Sequence, residues 1–378
     1  MRTYIKLFFA CLVILAGSSL ANSTSQSVPN NREKRLQKYR IKKALGEKVI
    51  SWLSDGNDLA AAECDRLADS LLSLEEPGVS SYFIAAQVAK LREKRDKAIS
   101  ILENVIGRYP DEKAPIGIHV PVKIVGRFWI ATVAQQSGDI TKAKKVYETI
   151  LTMLEREEKI ERLEDNGGLM MMCNLYLAEI ESKHLKRKNK ALARLEAIER
   201  IKKPKGQLGT GYDSYKSWAA YERSVVVRGK VQAIQDLVPP PEMMSAYLLG
   251  VSHILLNGIA GEPLAGSTKG MNIVTEVLVD QTIKNSASRI DRDSARLGYG
   301  FDQQYKGNFA KAEKYYLSLL RDESFFSPIA GICLAGCKMA QGKTVEADSI
   351  LEQVRTKYPG YDSAVTELKE SWNKSKNN

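Results

Sequence analysis

Four alanines in this chain carry the same neighbours at the same distances, and that repetition constrains the fold more than any other feature. Twelve residues before Ala98, Ala143, Ala312 and Ala347 stand Ala86, Ala131, Gly300 and Ala335. Five residues before the last three stand Gly138, Gly307 and Gly342, and Pro110 and Pro359 lie twelve residues after Ala98 and Ala347. Small residues facing each other let two antiparallel helices approach closely. Glycine ends the first helix because it takes the left-handed cap without steric cost. Proline stops the second because it cannot continue one.

The segments between these markers are amphipathic at the helical period. Val146, Tyr147, Ile150, Leu151 and Leu154 follow Ala143; Tyr315, Tyr316, Leu319 and Leu320 follow Ala312; Ile350, Leu351, Val354 and Tyr358 follow Ala347. No alternation of the strand kind competes with them.

The pattern resembles the tetratricopeptide repeat, a helix–turn–helix unit of about 34 residues. The resemblance is carried by Arg296 to Gly300 with Gly307 to Tyr316, by Leu334-Ala335 with Gly342 to Pro359, and by Ser137 to Tyr147. The Ala98 unit keeps Ala86 and Tyr109-Pro110 but has Glu93 at the glycine position. Weaker units surround Ala191, with Glu179 at the small position, and Ala61, with Gly56 and Val49. Anchors 61, 98, 143 and 191 are spaced by 37, 45 and 48 residues, so helices or loops there exceed the standard unit. The resemblance implies an all-α, right-handed, TPR-like superhelical solenoid of antiparallel helix pairs, whose first helices line a concave surface.

Repeats are expected over 33–205 and 291–378, with degenerate repeats or an insertion over 206–290. Within the latter, Ser214 to Leu237, Glu242 to Ile259 and Met271 to Ile283 read as helices, Pro239 to Pro241 as a break and Gly261 to Gly270 as a loop.

The N-terminus has a basic start, an apolar run from Leu7 to Gly17 and the small-residue exit Ser19-Leu20-Ala21. It reads as a secretory signal peptide cleaved after Ala21, the alternative being an uncleaved anchor. Residues 22–32 read as a flexible leader. The Tyr109-Pro110 and Tyr358-Pro359 helix endings resemble those of bacterial envelope repeat proteins, so the expected location is a bacterial periplasm or cell envelope. Cleavage takes Arg2 and Lys6 and no acid, so the net charge falls from +11 to +9. With 44% hydrophobic and 27% charged residues, collagen-like, disulfide-dense and wholly disordered chains are excluded. Cys64, Cys173, Cys333 and Cys337 read as packing residues, with a disulfide as the alternative.

No constellation for chemistry converges. His119, His184 and His253 do not form a metal spacing, and Gly261 to Lys269 lacks the Lys position and the preceding strand of a phosphate-binding loop. Asp291, Asp293 and the run Glu155 to Glu164 read as solvated helix charges, not an acid–base pair. No catalytic residue, cofactor or metal ligand is expected.

Two surfaces remain. Stripes away from the small positions fit a groove for a protein or peptide partner, chiefly Phe128, Thr132, Gln135, Leu297, Phe301, Gln304, Ile332 and Met339. The competing reading is packing on neighbouring repeats. A basic segment, with Lys186, Arg187, Lys188, Lys190, Arg194, Lys202 and Lys203, suits an anionic lipid or polysaccharide, or is a solvated face. Export argues against nucleic acid. The expected function is therefore a non-catalytic exported adaptor, with a structural envelope component as the second reading. An enzyme with a site in 206–290 is the third. The oligomeric state is not encoded in these signals.

Overall fold

The structure, a computed structural model, describes residues 29–114, 120–156, 163–202, 212–237, 239, 268–286 and 288–376. The signal-peptide reading, His119, Lys203, Pro240 to Ile259 and Gly261 to Ser267 lie outside them. Among the described residues there are sixteen α-helices, no strand and one isolated bridge between Lys113 and Pro121. The expected all-α solenoid of helical hairpins is the fold. No described helix is long and apolar enough to cross a membrane.

The chain forms two compact units, residues 1–126 with 260–274 and residues 127–259 with 275–378. The first contains α1 (Pro29–Asp55), α2 (Asp58–Leu72), α3 (Gly78–Leu91) and α4 (Arg95–Arg108). Each packs on the next along the chain. Helix α1 begins at Pro29, inside the stretch 22–32 read as a leader. Between α1 and α2, Asn57 caps the second helix by accepting the Ala60 N–H at 3.1 Å. Lys42 is half-buried and donates to Ser80 Oγ at 2.8 Å; burial lowers its pKa to about 8.

The second unit holds most of α5 (Val122–Gln136), then α6 (Ile140–Arg156), α7 (Leu163–Glu179) and α8 (Lys188–Arg200). It continues through α9 (Tyr212–Arg228), α10 (Lys230–Gln235), most of α11 (Thr268–Asn285) and α12 (Arg289–Tyr305). It ends with α13 (Phe309–Arg321), α14 (Ser327–Ala340), α15 (Thr344–Lys357) and α16 (Asp362–Lys376). The single helix expected over Ser214 to Leu237 is broken at Gly229, whose φ is 89°. The glycine-rich loop ends early, since Thr268 to Gly270 already belong to α11.

The anchor alanines 61, 98, 143, 191, 312 and 347 are all buried. Five residues before each, the backbone is left-handed: Gly56, Gly138, Gly307 and Gly342 have φ of 65°, 83°, 77° and 76°. Glu93 and Lys186 hold the same place with φ of 56° and 57°. The turn is therefore a property of the hairpin, adopted even where a side chain makes it strained. Its hydrogen bonds explain why: Lys94 N, Asp139 N, Asn308 N and Lys343 N each reach back five residues to a helix-end carbonyl, at 2.8–2.9 Å.

Close approach of paired helices is most explicit at Gly300. A Cβ there would sit 2.6 Å from Tyr316 Cε1 on α13. In the Ala191 unit, Glu179 at the small position is resolved by a π-helical turn, Ile180–His184. Its extra residue shifts the upstream helix by one place, and Ala178 and Glu179 are both buried.

Candidate partner-binding surfaces

The groove residues expected from the sequence divide into two sets. Phe128, Thr132 and Gln135 are fully covered, which corrects their reading as an open groove wall. Phe128 packs edge-on against Tyr147 and Tyr176, with ring centroids 6.0 and 5.8 Å apart, and those two tyrosines stack at 5.0 Å. Thr132 donates to the Trp129 carbonyl at 2.9 Å, within its own helix. Leu297 is likewise buried.

Phe301, Gln304, Ile332 and Met339 are partly exposed, on the neighbouring helices α12 and α14. Tyr305, which the sequence reading did not single out, is 43% exposed one place after Gln304. Tyr316 donates its hydroxyl to Gln304 Oε1 at 2.8 Å. The Gln304 amide nitrogen makes no hydrogen bond among the described residues. It lies 3.3 Å from where a Cβ on Gly336 would be. The missing side chain at 336 leaves this donor reachable, within an uncharged strip made of Phe301, Gln304, Ile332 and Met339.

The basic segment is exposed. Lys183, His184, Lys186, Arg187, Lys188, Lys190 and Lys202 are all on the surface, and Arg194 is half-buried. Arg194 pairs with Glu148 at 2.9 Å, and Lys183 with Glu179 at 2.6 Å.

Asp291 and Asp293 require a correction. They are 1% and 2% exposed, not solvated. Asp291 accepts hydrogen bonds from Tyr176 Oη and from Ser286 Oγ, the latter at 3.2 Å. Asp293 accepts from Ser324 Oγ at 2.6 Å and Arg289 Nε at 3.4 Å. Burial pushes its carboxyl above the usual range, against the pull of Arg289, Ser324 and Arg296. Beside them, Glu179 accepts from Ser288 Oγ at 2.7 Å and the Arg289 N–H at 2.9 Å. Burial alone would raise its pKa, but Lys183 and these donors outweigh burial and hold it below the usual carboxylate range. Arg289 completes the cluster, reaching Tyr221 Oη at 3.3 Å and the Glu323 carbonyl at 3.2 Å.

This polar cluster ties α7, α9 and α12 together, and its members satisfy one another. It is a structural clamp. The signal for it was available in Ser288, an N-cap whose hydroxyl also accepts the Asp291 N–H, and in the charge of Glu179 inside an apolar helix.

Of the remaining candidates, His184 is exposed, Glu155 is exposed, and His253 lies outside the described residues. Cys64, Cys173, Cys333 and Cys337 are separate thiols. Burial pushes those of Cys64 and Cys337 up to about 12. Among the described residues no group of His, Cys, Asp and Glu is arranged to hold a metal ion.

The tetratricopeptide-repeat family model matches residues 80–112 and 334–361. The first match covers most of α3 and all of α4, with Ala86, Ala98 and Pro110; the second covers Ala335, Gly342, Ala347 and Pro359. Comparison with curated proteins finds no match. Both segments are thus tetratricopeptide repeats, set in a fold of helical hairpins. Proteins with such repeats work in general as protein-interaction scaffolds.

Proposed function

We propose that this protein is a non-catalytic scaffold that holds an extended protein segment along α12 and α14. The observation that carries the reading is the Gln304 amide. Its oxygen is fixed by Tyr316 and its nitrogen is left over, facing the gap at Gly336. A donor oriented this way suits a backbone carbonyl. The flanking Phe301, Ile332 and Met339 supply apolar contact without charge. We place this scaffold outside the cytoplasm on the support of the Met1 to Ala21 pattern, and in a bacterial envelope on the resemblance of its Tyr109-Pro110 and Tyr358-Pro359 helix endings to those of bacterial envelope repeat proteins.

The test is capture of partners from a cell-envelope extract by the wild-type chain and by Gly336→Leu and Met339→Asp variants. Both substitutions should abolish retention of the captured protein. Leu317→Ala, on the exposed side of α13, should not. Retention unaffected by both groove variants would end the groove reading. For export, the protein isolated from fractionated cells should begin at Asn22; a chain starting at Met1 in the cytoplasmic fraction would refute it.

A further inference from the structure

We propose that the turn joining α7 to α8 is a docking surface for the headgroups of an anionic phospholipid membrane. Between residues 183 and 190 stand Lys183, Lys186, Arg187, Lys188 and Lys190, all exposed, with no acidic residue among them. The acids that could neutralise them are already engaged. Glu181 is buried and holds Lys144 at 3.5 Å and Arg187 at 3.9 Å. Glu148 is shared by Lys144 and Arg194, both at 2.9 Å, and Glu179 takes Lys183. Lys186, Lys188 and Lys190 make no ion pair among the described residues. Lys144 and Arg194 thus take up Glu148, and three lysines are left with uncompensated charge.

Those lysines stand where the local backbone does not favour them. Lys188 and Lys190 occupy the first turn of α8, which has no acidic residue and no side-chain cap. There the helix dipole disfavours cations. Lys186 holds the left-handed position that four other hairpins give to glycine. Two other turns in this unit are mixed in charge: Asp139 follows Gly138, and Lys306 beside Gly307 is paired with Asp302 at 2.8 Å.

The chemistry favours a plane of phosphates. The uncompensated groups are all lysines, which act as point charges without bidentate geometry. They are grouped on one turn and not strung along a groove as a linear polymer requires. No aromatic side chain is interleaved with them for base stacking. Cations of this kind gain roughly fivefold each in affinity at an anionic membrane surface.

The test is sedimentation of the full chain with vesicles of phosphatidylcholine alone and of phosphatidylcholine mixed with phosphatidylglycerol. Binding should be greater with the mixed vesicles, and the excess should vanish at raised salt. Combined Lys186→Gln, Lys188→Gln and Lys190→Gln should cut the excess by roughly a hundredfold. The corresponding lysine-to-arginine variant should keep it. Thermal unfolding of both variants shows that they fold, and the salt response of the unaltered chain stands even where a variant does not. Equal binding to both vesicle types, or no effect of the glutamine variant, overturns the proposal. So does salt-sensitive binding to soluble dextran sulfate with no preference for anionic vesicles, which would make the ligand a polymer.

Discussion

Tyr316 donates its hydroxyl to Gln304 twelve residues before it, and Tyr147 makes the same bond to Gln135 at 3.2 Å. Both pairs sit at one register, eight residues before and four after the anchor alanine. Their surroundings differ. Gln135 is fully buried with its amide nitrogen unpartnered, whereas Gln304 is partly exposed beside Gly336. Tyr147→Phe should therefore be the costlier change, since it leaves the glutamine oxygen buried without water, at about 1–3 kcal/mol. Tyr316→Phe lets water replace the bond and should cost about 0.5–1.5 kcal/mol. Chemical denaturation of the two variants measures the difference; a reversed order would contradict the burial of Gln135.

Gly300→Ala places a methyl group against the Tyr316 ring, which is itself buried. Tyr316 has little room to yield, so a loss of about 1–3 kcal/mol is expected from overpacking. An unchanged midpoint in urea would show that α12 and α13 are not as close as described.

Glu93→Gly should stabilise the protein by about 1 kcal/mol by relieving a left-handed residue with a side chain. Gly138→Ala should destabilise it by a similar amount for the same reason. Melting temperatures that moved in the same direction for both would refute a common turn conformation.

Glu179→Gln keeps the shape of the buried side chain and removes its charge. It should cost about 2 kcal/mol at neutral pH, the scale of hydrogen bonds to a charged group. The folded pKa of Glu179 is lowered, so its contribution is present above its ordinary value near 4.5 and is lost as pH falls through the folded value. The stability gap between wild type and variant should narrow on acidification. A gap independent of pH would argue against the ionised clamp.

Lys42 has the opposite sign. Burial depresses its pKa from 10.5 to about 8, so the charged form is disfavoured in the fold. Below about pH 8 this is a constant penalty, and stability should rise as pH increases from 8 toward 10.5. Lys42→Met should be more stable than wild type at pH 7 and should lack that rise. Parallel pH profiles for the two proteins would place Lys42 in water.

The alanine, glycine and proline spacing determined the hairpins by itself, because small contacts, left-handed caps and helix stops are local demands written one residue at a time. The apolar stripes likewise named the buried side of each helix. The same register did not reveal that Glu93 and Lys186 would take the glycine conformation, since that is imposed by backbone hydrogen bonds closing around them. Nor could it separate Gln135 from Gln304, or show Asp291 and Asp293 buried. Those outcomes depend on residues far along the chain: Tyr176 lying over Phe128, Gly336 leaving Gln304 open, Glu179 meeting Ser288. Burial is a property of what covers a side chain, and here the cover comes from other hairpins, so only the tertiary structure could decide it.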